Sequence, residues 1–342
     1  MTKIIGHSAV IAAFLSAMRG AKLHHAWLLT GAPGIGKATC ANALAKRLLC
    51  EAAGPPIAGE GIDTPADHPI GKFFDAHSHP DFILLDRLPK DPKQVRDIER
   101  RDWPSDLERA RSITVDQVRS LNNVFSLMPS FSNRRVVLVD SIDDMEKAGA
   151  NALLKSLEEP PQGTIFLLIS HAPGKLLPTI KSRCRMLRFE SLCDADMGQI
   201  IRTHLRDIKP DELSLLTGAA KGSPGKALSF AGLNVGGIDH SIEAIFNSGD
   251  ESNKLRSTLA HSLALKPAQR RYETFLARAP AFIAHVARRK TGDGLLQALD
   301  IWNEARSLSE SASRQSLDPY MAVFTMCGYI AALAPKDASS KA

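Results

Sequence analysis

Over the first half of the chain, short apolar runs alternate with stretches whose apolar residues recur at helical spacing, a pattern that predicts strands separated by helices. Ala26 to Thr30, Phe82 to Leu85, Ile113 to Val115, Val136 to Val139 and Thr164 to Ile169 have the look of buried strands. Val10, Phe14 and Leu15 mark an amphipathic first helix, and Ala38 to Cys50 carries Ala and Leu at helical intervals. Asp116 is placed to cap a helix bearing Val118, Leu121, Val124 and Phe125, and Asn151 to Glu158 is helical. Strands alternating with helices imply a mainly parallel sheet covered on both faces. Beyond Phe189 only helical periodicity remains: Met197, Ile200, Ile201 and Leu205, then Leu213 to Ala220, Lys226 to Phe230, Pro267 to Arg289 and Asp293 to Leu308. Asp318-Pro319 opens a last apolar helix.

Breaks in this pattern set the domains. Glu51 to Gly71 is rich in Gly, Pro, Ala and Asp without periodicity, as an insertion that adds little to a core would be, and Asp86 to Arg111 is a charged excursion broken by three prolines. The expected organisation is a P-loop α/β domain at 1–190 with an insertion at 51–75, and a small helical lid at 191–235. An all-α domain at 236–335 and a disordered tail at 336–342 follow. A chain of 342 residues, 44% hydrophobic, is long enough for two or three cores. The formal charge of +6 suits a nucleic-acid neighbourhood and is equally ordinary elsewhere. Five cysteines without a C-x-x-C pair indicate neither a disulfide framework nor a zinc ribbon, which fits a reducing cytoplasm. No apolar run approaches the ~20 residues needed to span a bilayer, so no membrane association is expected.

The candidate chemistry begins at Gly31-Ala-Pro-Gly34-Ile-Gly36-Lys37, between a predicted strand and a predicted helix. In a phosphate loop, glycines let successive backbone N–H groups turn inward, the helix start adds partial positive charge, and a lysine meets the outer phosphates. A glycine turn that merely packs a helix on a strand would use the same residues. The pattern requires Ser or Thr after the lysine to hold Mg²⁺; here Ala38 follows, and Thr39 comes one position late. Asp140 ends the strand VVLVD where a metal-associated aspartate belongs, but Ser141 occupies the next position, where a hydrolytic site carries a glutamate to polarise water. Asp143 and Asp144 come too late in the chain and read as capping or solvated charges. Nucleotide, ATP or ADP, is expected to bind at most without turnover, because phosphoryl transfer rests on metal charge and water placement.

With NALLKSLEEPP at Asn151, LLPTIKSRC at Leu176, HAWLLTGAPGIGK at His25 and HPDFILL at His79, the chain resembles the clamp-loader branch of the AAA+ family, densely over about 1–190 and weakly beyond. The resemblance implies a P-loop AAA+ sheet domain, a helical lid and a C-terminal collar. In the family the Ser-Arg-Cys triplet, here Ser182, Arg183 and Cys184, carries an arginine that reaches a neighbour's ATP. Arg183 is thus the candidate trans arginine finger; a surface arginine in a basic cluster with Lys181, Arg185 and Arg188 is the alternative. Ser170 or His171 matches a phosphate-sensing position and Lys226 a lid sensor, against a strand-ending turn and a solvated helix charge. The implied partners are the other clamp-loader subunits in a hetero-oligomeric pentamer, the sliding clamp and, indirectly, primed DNA. The implied setting is the DNA polymerase III complex in the cytoplasm, with no intrinsic catalysis by this chain; an ATP-hydrolysing AAA+ clamp-loader or motor subunit is the alternative. Related chains carry a four-cysteine zinc module after the phosphate-loop helix. Only Cys50 is kept here, the spacing of His68, His77 and His79 is not a ligand pattern, and no zinc is expected. Arg119, Arg134 and Arg135 flank a loop that would face DNA phosphates, or are solvated charges.

Overall fold

The structure, a computed structural model, describes residues 4–20, 23–59, 61–96, 98, 103–104, 107–315 and 317–335. The chain forms two compact units, Met1–Ile208 with Ala220–Lys226, and Lys209–Ala219 with Ala227–Ala342. In order, the first part runs α1 (Ser8–Arg19), β1 (Ala26–Thr30), α2 (Lys37–Ala53), α3 (Pro69–Asp75), β2 (Phe82–Asp86), α4 (Val115–Phe125), β3 (Arg135–Asp140) and α5 (Lys147–Glu158). It continues with β4 (Thr164–Ser170), α6 (Pro178–Lys181), β5 (Arg185–Arg188) and α7 (Asp194–His204). Helices α8 (Pro210–Ala220), α9 (Pro224–Phe230), α10 (Val235–Ser248), α11 (Lys254–Ala264), α12 (Gln269–Ala287), α13 (Gly292–Gln315) and α14 (Pro319–Ala331) complete the chain.

The expected α/β parallel-sheet class is what forms. Five strands, ordered β2-β3-β4-β1-β5, pair in parallel throughout. Because successive side chains of a strand point to opposite faces, one run of apolar residues feeds two cores. Val136 and Leu138 of β3 join Leu44, Leu48 and Phe14 on the α1/α2 side, whereas Val137 and Val139 join Val118, Leu121, Leu153 and Leu157 on the α4/α5 side. Parallel pairing also brings the carboxyl ends of β1, β3 and β4 to one edge, so Gly31, Asp140 and Ser170 leave the sheet on the same side. The helical unit has its own core, built from Ile238, Ile242 and Ile245 of α10, Phe275 and Ile283 of α12, and Val323, Met326 and Ile330 of α14. Asp318 caps α14 by accepting from the Met321 N–H at 2.8 Å, as its position before a proline predicts. Among the described residues no helix is long and apolar enough to cross a membrane.

Several expectations need correcting. Ile113 to Val115 is not a strand: Ile113 makes only an isolated bridge to Met145, because Thr114 is taken up as the N-cap of α4. Its hydroxyl accepts from Gln117 N and the Gln117 side chain accepts from Thr114 N, a reciprocal capping box. The cap is therefore Thr114, and Asp116 sits inside the first turn. The 51–75 insertion does feed the core, through Ile62, Ile70 and Phe74. It is tied down by Arg47, whose buried guanidinium donates to the carbonyls of Asp63 (2.7 Å) and Gly59 (3.1 Å) and to Glu51 (2.5 Å). The boundary between the two units runs through the segment read as a lid at 191–235: α7 and 220–226 belong to the first unit, and 209–219 and 227–235 to the second. The expected tail at 336–342 lies outside the described residues.

Candidate functional site

Gly31, Gly34 and Gly36 have φ of +151°, +76° and +102°, the left-handed territory where a side chain is costly, and this lets the loop wrap tightly between β1 and α2. Lys37, the first residue of α2, is 3% exposed. Its ammonium donates to the loop's own carbonyls, Gly31 O at 2.7 Å and Ala32 O at 2.6 Å. Burial pushes its pKa down to about 8, against the opposing pull of Asp140 and Asp143. Ala38 follows with no oxygen to offer a metal, and the Thr39 side chain is exposed.

A second segment closes on this loop. The Ser223 hydroxyl donates to Pro33 O at 3.0 Å, and Gly225 N donates to Gly34 O at 2.8 Å. The two glycines touch so closely that a Cβ on Gly225 would stand 2.9 Å from the Gly34 Cα. Lys226 lies beside the loop through its backbone, whose N–H donates to Ser223 Oγ at 3.4 Å, while its side chain is exposed. His7, with φ of +57°, meets the loop from the other direction: its Nε2 lies 2.7 Å from Ile35 O and its ring packs edge-on to Phe189. Sequence reasoning missed His7, since only long-range folding brings it there.

At the ends of β3 and β4, Asp140 is half-buried and in register with Asp86 on β2. Burial pushes its carboxyl above the ordinary range, Asp86 and Asp144 add to this, and His171 and Lys37 oppose it. His171 is pushed below its ordinary value by burial and by Lys37. Ser141 is 3% exposed and its hydroxyl donates to Asp143 at 3.3 Å. Asp143 is not the capping or solvated charge that its position in the chain implied. Its carboxylate accepts from Ser170 Oγ (2.9 Å), His171 N (2.5 Å) and Ala172 N (3.3 Å), so it ties the end of β4 to the turn after β3. Ser170, the sensor candidate, is fully buried with its hydroxyl committed to this carboxylate. Asp144 pairs with Arg87 at 3.3 Å.

The fold thus gathers Gly31, Gly34, Gly36, Lys37, Asp140, Ser170 and the backbone of Lys226. Arg183 is elsewhere: it follows α6, is one-third exposed, and its guanidinium meets Glu158 at 2.5 Å and Thr179 O at 2.9 Å. The neighbouring basic residues are separately occupied or outward; Arg185 stacks over the buried Trp27 ring at 5.1 Å and Arg188 is exposed. Arg135 is not available to DNA phosphates, being 3% exposed and donating to Leu127 O at 3.0 Å. Among the described residues no cluster of three or more His, Cys, Asp or Glu could hold a metal ion.

A family model described as DNA polymerase III, delta subunit, matches residues 6–193, more than half of the chain. The chain is 40% identical to the DNA polymerase III subunit delta' of Pseudomonas aeruginosa over 160 residues, 47% of this chain and 41% of that protein. To subunit delta' of Haemophilus influenzae it is 33% identical over 168 residues, 48% of this chain and 42% of that one. It is also 30% identical to DNA polymerase III subunit tau of Escherichia coli over 234 residues, 66% of this chain and 31% of the relative. The matched region spans less than half the length of each of these relatives.

Proposed function

We propose that this chain, a member of the DNA polymerase III delta-subunit family that is similar to delta' subunits, serves within a clamp loader as a delta-prime-type subunit that hydrolyses no ATP and lends Arg183 to the ATP site of the adjacent subunit. In that role it helps place a sliding clamp on primed DNA as one member of a hetero-oligomer, with no catalysis of its own.

The observation that carries this reading is at Ser141. The position where water would be activated holds a buried hydroxyl turned to Asp143, and the Asp143 carboxylate is itself committed to Ser170, His171 and Ala172. Ala38 removes the metal's hydroxyl ligand as well, so the donor set does not fit Mg²⁺. The glycine loop and Lys37 do suit a nucleotide's phosphates, once the ammonium exchanges the two loop carbonyls for phosphate oxygens. Nucleotide can then be retained without turnover. The arginine is not tied to the chain's own phosphate loop but to the partly exposed Glu158, and a guanidinium fork released from it can neutralise charge developing on a neighbour's transferred phosphate, an effect worth roughly 10³ to 10⁵ in rate.

A second reading is an ATP-hydrolysing loader subunit, since the chain is also similar to a DNA polymerase III subunit of another name, tau. Phosphate release by the isolated protein with ATP and Mg²⁺ decides between them. Background release is expected, and robust turnover abolished by Lys37→Ala would establish the hydrolysing reading instead.

A further inference from the structure

Glu158 is the last residue of α5 and Glu159 follows it as the C-cap. A carboxylate in the last turn opposes the helix dipole, whose negative end lies there, so Glu158 is poorly placed for the helix that carries it. What compensates it is Arg183, whose Nη2 lies 2.5 Å from Glu158 Oε1. The other arm of the same guanidinium donates to Thr179 O at 2.9 Å and to Ser182 Oγ at 3.4 Å. Both partners are partly open to solvent, the arginine side chain 33% and the glutamate 49% exposed. The arginine is therefore held in a defined place by one charge and one carbonyl, in a setting where another anion can reach it.

We propose that Glu158 is a positioning residue that parks Arg183, an internal counter-ion that a neighbour's triphosphate must displace before the arginine can act. This rests on the trans-arginine reading of the preceding subsection. A triphosphate carries more negative charge than one carboxylate and offers the planar fork several oxygens. It therefore competes with Glu158 for the same N–H groups. Exchange costs little because the pair is exposed and weak, and without triphosphate next door the arginine returns to Glu158. The engaged state itself contains no Glu158 contact, so removing the carboxylate should ease engagement and leave the subsequent chemistry unchanged.

The test is a double-mutant cycle on the reconstituted loader, with ATP turnover measured against ATP concentration for wild type, Glu158→Gln, Arg183→Ala and the double variant. Glu158→Gln is expected to lower the KM for ATP by about two- to five-fold, the range that exposed ion pairs command, with kcat unchanged. In the Arg183→Ala background, where turnover is already depressed, the same substitution is expected to do nothing. A KM that does not move, or a shift that persists without Arg183, overturns the parking role and leaves the arginine finger standing. If Arg183→Ala alone leaves turnover intact, the finger reading fails and this inference with it. Glu158→Ala serves as a second charge-removing variant, and thermal melting confirms folding, since neither change opposes the helix dipole.

Discussion

Replacing Asp143 with alanine tests whether a residue that reads from the chain as a surface charge is in fact a structural tie. The substitution strips the acceptor from the buried hydroxyls of Ser170 and Ser141 and from the N–H groups of His171 and Ala172. A buried hydroxyl left without a partner costs ~1–3 kcal/mol, and each amide, being accessible to water, ~0.5–1 kcal/mol. The sum over two hydroxyls and two amides is a loss of roughly 3–8 kcal/mol for the sheet unit, against ~0.5 kcal/mol or less for an ordinary solvated charge. Two compact units need not unfold in one transition, so the assay is amide hydrogen exchange at β4, which reports the local opening free energy. Ser170→Ala in the same background should recover the hydroxyl's share. Exchange at β4 unchanged to within ~0.5 kcal/mol would refute the assignment.

Other consequences follow from neighbouring geometry. A lysine titrating near 8 passes from about nine-tenths to about one-tenth protonated between pH 7 and pH 9, so ADP binding measured by calorimetry should weaken about ten-fold over that range; a pH-independent affinity would exclude Lys37 as a phosphate ligand. Gly225→Ala forces a methyl to within 2.9 Å of the Gly34 backbone and should lower the melting temperature of the sheet unit by the equivalent of ~1–3 kcal/mol, which an unchanged melt would contradict. In the helical unit, burial alone would raise the Asp250 carboxyl, but the N–H groups of Arg256 and Leu255 and the Arg256 side chain hold it below its ordinary value. Its stabilisation is therefore complete above the unfolded-state value of about 3.9 and lost as pH falls through the lower folded value; Asp250→Asn should flatten that acid limb in a pH-dependent melt.

The sheet and its phosphate loop were legible because their signals are local. A buried strand needs a run of apolar residues, and a left-handed loop needs glycines at set positions, so β1, β3, β4 and Gly31 to Lys37 stand where the chain's pattern puts them. Thr114 as a cap was also a local signal, in the Thr-x-x-Gln box, but the apolar Ile113 and Val115 on either side of it imitate a strand. What the chain does not display is long-range. Nothing near His7, Asp143 or Ser223 announces that the folded backbone brings them to the loop or to the end of β4. Arg135 likewise reads as an exposed charge until the turn at Leu127 folds over it. The core contribution of Ile62 and Ile70 was hidden by glycines and prolines that suggested a loose insertion, whereas the buried Arg47 gathers that segment through its carbonyls.

The most direct measurement is the position of the Arg183 guanidinium in an assembled loader with triphosphate bound next door. The fork is expected to have left Glu158 and to lie at charge-assisted hydrogen-bond distance, ~2.7–2.9 Å, from the neighbour's terminal phosphate. An arginine still on Glu158, or facing solvent while the adjacent triphosphate is fully ordered, would contradict it.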